Sequence, residues 1–304
     1  MPASSQKRFL SIGECMVELS GGLDDQFKLG FAGDTLNTAW YARASLAAHW
    51  DVAYYTALGD DRYSSAMLAF MAQGGINTEL IRMMPGKRPG LYIIHQENGD
   101  RHFTYWRETS AARHLADNPE HLLHATASTD AIYISGITLA ILKPTRRDDL
   151  LSVLEGARQS GALIAFDPNI RLALWPNQDD LRQSLKDAAS ISDIVLPTHG
   201  DEVPLFGDKN SEETLARYLT YGAREVVVKD GANPVHISTG RNSLFVSAEE
   251  VLEVVDATGA GDAFNGAYLA ARLSNQDPAP AARAGNRMAA RVIGHQGALI
   301  PHNN

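Results

Sequence analysis

The segment Asp256-Ala-Thr-Gly-Ala-Gly-Asp262 decides the fold of this chain of 304 residues. It follows the apolar run Val251-Leu-Glu-Val-Val255, which we expect to be a strand. After it come apolar residues at the spacing of a helix: Phe264, Ala267, Tyr268 and Ala271. Gly259 and Gly261 allow a tight turn and a close approach of the backbone to a ligand. A helix that begins here directs unpaired N–H groups and the positive end of its dipole toward an anion.

Asp262 lies inside this predicted anion site. Its carboxylate could accept a proton from a hydroxyl that attacks phosphorus, while the backbone N–H groups hold the transferred charge. The alternative is a glycine-rich turn in which Asp262 only caps the helix. The segment is not the dinucleotide fingerprint, because Phe264 stands where its third glycine belongs, and the chain contains no P-loop sequence.

Outward from this segment, short apolar runs alternate with helical patterns along the chain. The predicted strands are Phe9–Ile12, Val52–Thr56, Ala131–Ser135, Leu163–Asp167, Ile194–Leu196 and Glu225–Lys229. The predicted helices include Thr35–Ala48, Arg146–Ser160 and Ser211–Tyr221. Such alternation predicts an α/β fold, with a doubly wound, mostly parallel sheet covered by helices on both faces.

Two segments, about 17–31 and 90–107, interrupt this alternation with strand-like runs and turn signals. Gly21-Gly22 marks a turn in the first, and Asn98-Gly99 predicts a hairpin in the second. We interpret them as a small β lid that projects from the main sheet. Without repeats or long linkers, residues 1–304 are expected to form a single domain.

Composition narrows the class of protein. The chain is 44% hydrophobic, carries a net charge of −9, and has Lys and Arg scattered along its length, so we expect no nucleic-acid partner. No apolar run approaches the roughly 20 residues of a membrane span, so we expect no membrane partner. A single cysteine, Cys15, excludes an internal disulfide and favours a reducing, cytoplasmic setting.

The pattern Asp-x-Thr-Gly-Ala-Gly-Asp resembles the C-terminal signature of the ribokinase-like (PfkB) carbohydrate kinase family. Gly33-Asp34-Thr35-Leu36-Asn37 resembles its sugar-binding segment, and Gly59-Asp60-Asp61 with Gly74-Gly75-Ile76 its early glycine-rich signature. The resemblance covers essentially the whole chain. It implies an ATP-dependent sugar kinase, with a lid over the sugar, in which Asp262 is the catalytic base beside the amides of Gly259, Ala260 and Gly261.

Within the family, further segments resemble the branch that phosphorylates the sugar acid 2-keto-3-deoxygluconate (2-dehydro-3-deoxy-D-gluconate). They are Gly13-Glu14-Cys15-Met16-Val17-Glu18-Leu19, Tyr105-Trp106-Arg107 and Asp167-Pro168-Asn169-Ile170-Arg171. The resemblance implies a substrate site made of Gly33, Asp34, Thr35, Leu36, Asn37, Tyr92, Tyr105, Arg107 and Arg171.

Chemistry gives a separate argument for an acidic sugar. A carboxylate is held well by guanidinium groups, and Arg107 and Arg171 come from different segments that could clamp it. The alternative is that each is a surface arginine at the end of an element. A kinase of a neutral sugar such as fructose or ribose therefore remains open, as does a catalytically silent sugar or nucleotide sensor.

The nucleotide site is also implied by resemblance. Lys229-Asp230-Gly231-Ala232-Asn233-Pro234 follows a strand, at the end where open α/β sheets bind ligands, although an ordinary β-turn has the same composition. The implied ATP contacts are Lys229, Asp230, Gly231, Ala232, Asn233, Pro234, Asn169, Arg171, Asn286, Gly259, Ala260 and Gly261.

Metal ions complete the implied set of cofactors. ATP requires Mg²⁺ to neutralise and orient its phosphates. The family's Asn-x-x-Glu pattern corresponds here to His199-Gly-Asp-Glu202, so Glu202 is the candidate to hold a metal-bound water, with His199 in place of Asn. The resemblance also implies a monovalent cation, K⁺, near Asp256 and Thr258. Because the lid exposes sheet edges and an outer face, we expect a homo-oligomer that associates through the lids.

Overall fold

The computed structural model describes residues 6–21, 26–97, 100–240 and 242–301. The strands in these residues are β1 (Lys7–Ile12), β2 (Met16–Gly21), β3 (Phe27–Ala32), β4 (Trp50–Tyr55), β5 (Ala57–Leu58), β6 (Arg82–Met83), β7 (Gly90–Glu97), β8 (Asp100–Trp106), β9 (Ala131–Ser135), β10 (Leu163–Asp167), β11 (Ile194–Val195), β12 (Glu225–Val228), β13 (Val235–Ser238) and β14 (Ser243–Val246).

The α-helices in the same residues are α1 (Asp34–Ser45), α2 (Arg62–Gln73), α3 (Pro119–Thr126), α4 (Gly136–Ile141), α5 (Pro144–Gln159), α6 (Gln178–Ser190), α7 (His199–Phe206), α8 (Ser211–Tyr221), α9 (Ala260–Leu273) and α10 (Pro278–Ile293). Short 3-10 helices cover Ala111–His114 and Leu172–Leu174. Within the described residues, no helix combines the length and apolar character that crossing a bilayer requires.

The main sheet has its strands in the order β14-β13-β12-β11-β10-β9-β1-β4. Neighbouring strands from β4 to β12 pair in parallel, and β13 and β14 add an antiparallel edge. Parallel pairing brings the carboxyl ends of β1, β9, β10 and β12 to one edge of the sheet, which is where such sheets bind ligands. The predicted doubly wound, mostly parallel α/β fold is confirmed.

Both faces of this sheet are covered by helices. Tyr133 of β9 packs in a cluster with residues of α1, α9 and α10, whereas Ile132 and Ile134 pack in a second cluster with α5, α6 and α8. Successive side chains on a strand point to opposite faces, so a strand buried on both sides must be apolar at nearly every position. This is why the central strands read as continuous apolar runs.

A second, smaller sheet has the order β3-β2-β7-β8 and forms the lid. β2 pairs antiparallel with β3 and parallel with β7, and β7 pairs antiparallel with β8. The register sets Glu18, Tyr92 and Tyr105 side by side on one face. The prediction of a small β sheet beside the main one is confirmed, while the turn residues Gly22 and Asn98-Gly99 lie outside the described residues.

The predicted strand before the glycine-rich segment is wrong. Val251–Val255 is irregular, and Leu252 is 99% exposed. The N–H groups of Val255 and Asp256 both donate to the carbonyl of Ile293, the last residue of α10. The segment therefore runs past the end of a helix, where it has no neighbouring strand to complete a ladder.

Candidate active site

The glycine-rich turn before α9 has a backbone that only glycine adopts easily. Gly259 has a φ of 76°, in the left-handed region, and a Cβ at this position would lie 2.9 Å from the carbonyl oxygen of Ala298. α9 begins at the next residue, Ala260, and Asp262 lies in its first turn. The N–H of Ala260 donates to the carbonyl of Ala257 at 3.2 Å. The other N–H groups at a helix start generally have no partner in a preceding turn, so this turn is suited to bind phosphate.

Asp262 lies where α9 meets α1. It is half-buried, and its Oδ2 accepts a 2.8 Å hydrogen bond from Nδ2 of Asn37. Burial, with repulsion from the carboxylates of Asp34 and Asp167, raises the pKa of Asp262 to about 7, while Asn37 and Lys229 oppose that rise. A carboxyl group that titrates near neutral pH is well matched to the work of a general base.

Asp34 begins α1 on the same side of the site. Its Oδ1 accepts a hydrogen bond from the N–H of Thr35, and its Oδ2 accepts one of 2.8 Å from Nδ2 of Asn169. Burial raises the pKa of Asp34. Asn169, predicted as an ATP contact, has a φ of 35° and donates its N–H to Asp167. Asn169 thus bonds Asp34 through its side chain and Asp167 through its backbone, and its contact with ATP stays a prediction.

The other residues of the predicted sugar-binding segment differ in what they can offer a ligand. Gly33 leaves no room for a side chain, since a Cβ would lie 2.2 Å from the carbonyl oxygen of Glu14. Thr35 and Leu36 are fully buried, and the hydroxyl of Thr35 bonds that of Tyr54. Thr35 and Leu36 can therefore reach a sugar only through their backbone, while Asp34 and Asn37 present polar side chains.

The side chain of Arg107, which follows β8, is held by a buried carboxylate. Its Nη2 donates to Oε2 of Glu14, and Ser110 Oγ donates to the other oxygen at 2.6 Å. Arg107 is 6% exposed, and its Nε has no hydrogen-bond partner in the described part of the chain. Buried donors in proteins are nearly always paired. The unpaired guanidinium donor therefore makes Arg107 a candidate to contact a ligand acceptor.

Tyr105 lies near both of the predicted arginines. The Arg107 guanidinium carbon lies 5.8 Å from the centre of its ring. Burial raises the pKa of the Tyr105 hydroxyl, and the charges of Arg107 and Arg171 oppose that rise, so both cations lie near it. Arg171 donates to Asp201 at 3.0 Å, and its side chain is 48% exposed.

Tyr92 lies beside Tyr105 on β7, with ring centres 5.7 Å apart. Its hydroxyl donates to Oε2 of Glu18, and burial followed by the charge of Glu18 raises its pKa. This face of the lid thus carries an aromatic pair in which Glu18 holds Tyr92.

The predicted nucleotide turn connects β12 to β13. Gly231 adopts a left-handed conformation with a φ of 58°, and the Asn233 N–H and side-chain amide both donate to Asp230. Asn286, on α10, donates its amide to the carbonyl of Ser247. Lys229 turns away from this group, because its Nζ bonds Asp167 and Asn265 in the interior.

The predicted metal-associated residues have partners within the protein. Both carboxylate oxygens of Glu202 accept from the Tyr218 hydroxyl, Arg217 donates to one of them, and burial raises the Glu202 pKa to about 8. Asp256 accepts from the N–H groups of Thr258 and Gly297. Among the described residues, no cluster of three or more acidic, His or Cys side chains could hold a metal.

Three residues were not predicted as members of the site: Glu14, Asp167 and Asn265. Asp167 was recognisable in principle, because a polar residue at the carboxyl end of a buried parallel strand lies at the ligand-binding edge. Glu14 and Asn265 carry no such signal, since their importance comes from contacts with residues distant in sequence.

Comparison with known proteins gives the family and supports the fold. Residues 6–303 match the family described as pfkB family carbohydrate kinase. The chain is 41% identical over 302 residues to 2-dehydro-3-deoxygluconokinase of Dickeya dadantii, with 97% of each protein covered. A PfkB protein from Polaromonas superposes with a TM-score of 0.82 at 27% identity, over 97% of both chains.

A fructokinase from Vibrio cholerae with bound fructose, ADP and calcium superposes with a TM-score of 0.83 at 22% identity. The match covers 97% of this chain and 95% of the fructokinase. At an identity of 22% it supports a shared fold and nothing further. The family match extends over nearly the whole chain, and Asp262 stands in the first turn of α9, after the glycine-rich turn. The chain belongs to the pfkB family of carbohydrate kinases.

Proposed function

We propose that this kinase transfers the γ-phosphoryl group of ATP to the 6-hydroxyl of 2-dehydro-3-deoxy-D-gluconate. The observation that carries the proposal is Arg107, a buried guanidinium whose Nε has no partner among the described residues. A sugar acid brings a carboxylate to this donor, whereas a neutral sugar brings only hydroxyls. The relative in Dickeya dadantii carries the name of this activity.

In the chemical step the sugar O6 attacks the γ-phosphorus. The O6–phosphorus bond forms, the bond from phosphorus to the bridging oxygen of ADP breaks, and ADP leaves with that electron pair. The O6 proton passes to the carboxylate of Asp262. The N–H groups of Gly259 to Asp262 stabilise the charge on the transferred group. Mg²⁺ bound to the phosphates neutralises their charge and aligns them.

The substrate carboxylate lies between Arg107 and Arg171 in this proposal. Glu14 holds Arg107 and Asp201 holds Arg171, so both guanidinium groups are restrained before the substrate binds. Such preorganisation reduces the entropy lost on binding. Asp34 and Asn37 then form hydrogen bonds with the sugar hydroxyls.

We assign the nucleotide to the turn Asp230–Pro234, to Asn286 and to the exposed segment before α9. That segment presents Leu252, Val254 and Val255, which are 99%, 62% and 51% exposed and offer an apolar surface beside the phosphate turn. Asp256 and Thr258 are proposed to hold K⁺. Glu202 gains no support as a metal contact, since its oxygens already accept hydrogen bonds from Tyr218 and Arg217.

A kinase of a neutral sugar is the second candidate, and one observation favours it. Arg107 and Arg171 each already have a carboxylate partner, Glu14 and Asp201, so neither charge depends on a substrate anion for balance. In that case the unpaired Nε of Arg107 would bond a sugar hydroxyl.

An assay of ADP release, coupled to NADH oxidation, separates these candidates. The substrates are 2-dehydro-3-deoxy-D-gluconate, fructose and ribose, each with MgATP. We expect a kcat/KM for the sugar acid at least 100-fold above that for either neutral sugar. Preference for fructose or ribose would overturn the proposed substrate, and no ADP release with any sugar would favour a silent sensor.

We also propose that the enzyme is cytoplasmic, where ATP is supplied, and that two copies associate through the outer faces of their lids. On that face Leu29 and Trp106 are 47% and 52% exposed. Large apolar side chains clustered on one face of a sheet are typical of an interface. Light scattering coupled to size exclusion should give a dimer, and Leu29→Glu should give a monomer. A monomeric native protein would contradict this assignment.

A further inference from the structure

Lys229 is a buried lysine at the carboxyl end of the main sheet. It is 7% exposed, and its Nζ donates to Oδ2 of Asp167 at 2.8 Å and to Oδ1 of Asn265 at 3.0 Å. Asn265 also donates to the same oxygen of Asp167 at 2.6 Å. A buried ammonium is tolerated only when it is paired and hydrogen-bonded, and here both conditions are met. The three residues hold the charge at one position.

That position lies next to the glycine-rich turn Gly259–Asp262, which is the proposed phosphate site. A Cβ on Gly261 would lie 3.6 Å from Nζ of Lys229, so the ammonium lies against the first turn of α9. Gly261 has no side chain to separate the ammonium from the turn. The next residue is Asp262, the proposed base.

We propose that Lys229 is a positioning residue for phosphoryl transfer: Asp167 and Asn265 hold its ammonium under Gly261, where its charge offsets the acidic groups around Asp262. This differs from a contact with ATP along the turn Asp230–Pro234, because the side chain points into the protein. It rests on the proposed role of Asp262 as the base.

The surroundings of Asp262 explain why a fixed cation is needed. The titratable groups that face it are Asp34 and Tyr41 of α1, Tyr133 of β9, Asp167 of β10, and Lys229. Burial and the two carboxylates raise the pKa of Asp262, and the charge of Lys229 lowers it. A base must be ionised to accept a proton, so the ammonium enlarges the fraction of enzyme that is active at neutral pH.

The test compares two variants in which Asp167 is already neutral. Asp167→Asn keeps the Lys229 ammonium, with its bond to Asn265 and the carboxylate of Asp262 nearby, whereas Asp167→Asn/Lys229→Met removes it. Without Asp167→Asn, removal of Lys229 would also leave the Asp167 carboxylate without its ion-pair partner, and two changes at the site would be measured together. The quantity measured is the pH at which kcat/KM for the sugar falls on the acidic side, at saturating MgATP. The position of this acidic limb on the pH axis does not depend on the fraction of protein that is folded.

We expect this limb to lie about one pH unit higher in the double variant than in Asp167→Asn, a shift of the order that one nearby opposite charge produces. Equal limbs in the two variants would overturn the proposal and leave Lys229 a structural residue. If the methionine variant does not fold, Lys229→Gln in the same background takes its place, because its amide can still bond Asn265.

Asp262→Asn keeps the two ideas separate. If it retains turnover, the proposed base is wrong, and a shift of the limb in the other variants then belongs to a different group. If it is inactive and the two limbs coincide, only the role of Lys229 fails.

Discussion

Nδ2 of Asn37 donates a 2.8 Å hydrogen bond to Oδ2 of Asp262, joining two residues that are 225 positions apart. Asn37 lies in the first turn of α1 and Asp262 in the first turn of α9, so the bond joins the sugar-binding segment to the phosphate turn. Because an amide N–H stabilises the ionised carboxylate, this bond lowers the pKa of Asp262.

Asn37→Ala should therefore shift the pH dependence of the reaction. Without the amide the pKa of Asp262 rises above its value of about 7, and the carboxylate form is lost at a higher pH. The acidic limb of kcat/KM should move to higher pH, so that activity falls more at pH 6.5 than at pH 8.5. Steady-state rates across pH 5.5 to 9.5 measure this.

The neighbouring residue supplies the control. The Thr38 hydroxyl donates to the backbone carbonyl of Asp262, not to its carboxylate. Thr38→Val should therefore leave the acidic limb where it lies in the wild type. A shift of the same size in both variants would mean that α1 has moved, and that the Asn37 bond does not tune Asp262.

Asp262→Asn should nearly abolish turnover while substrates still bind. An amide has nearly the same shape as the carboxylate but cannot take the proton, and loss of a general base lowers kcat by about 10²–10⁴-fold. Calorimetric titration should give a Kd for the sugar close to that of the wild type. Wild-type turnover in this variant would show that the base has been wrongly assigned.

Arg107→Ala should raise the KM for the sugar acid by at least 10-fold and change that for a neutral sugar little. Removing a charge-assisted pair with a carboxylate accounts for this difference. The variant also leaves Glu14 buried without its ion-pair partner, with only the Ser110 hydroxyl still bonded to it, a loss of about 3–5 kcal/mol, so a thermal melt must accompany the kinetics. Equal effects on both sugars would indicate that Arg107 supports the lid without reading the acid.

Sequence gives the fold where local signals agree with tertiary contacts. Ser211–Tyr221 was predicted with the bounds observed, because Asn210 caps its start and Gly222, in the left-handed conformation, ends it. Val251–Val255 has equally strong strand character but lies past the end of α10, so no neighbouring strand pairs with it. A strand requires a partner, and the partner is not encoded locally.

The residues of the site divide in the same way, into those with a local sequence signal and those defined by contacts with distant residues. Asp262 and the glycines before it are recognisable because the chemistry needs them in one short segment. The ion pair of Arg107 with Glu14 joins residues 93 positions apart, and that of Lys229 with Asp167 joins residues 62 apart. Neither pair leaves a spacing in the sequence, so arginine and lysine side chains were predicted as ligand contacts without their internal partners.

Gly266→Ala should destabilise the protein and disturb the site. In α9, a Cβ at this position would lie 2.6 Å from the carbonyl oxygen of Thr38 and 2.7 Å from the N–H nitrogen of Ala42, both on α1. Backbone atoms cannot swing aside as a side chain can, so the two helices must separate. Overpacking of this kind costs about 1–3 kcal/mol. Because α1 carries Asn37 and α9 carries Asp262, kcat should fall as well.

Gly156→Ala is the matched control, since it is also a glycine within a helix. Gly156 is exposed on α5, and a Cβ there would meet no atom within 4 Å. Alanine has the higher helix propensity, so this variant should gain about 0.5–1 kcal/mol and keep wild-type kinetics. Urea unfolding of both variants gives the free energies. If Gly266→Ala were also stabilising, α1 and α9 could not be in the close contact that brings Asn37 to Asp262.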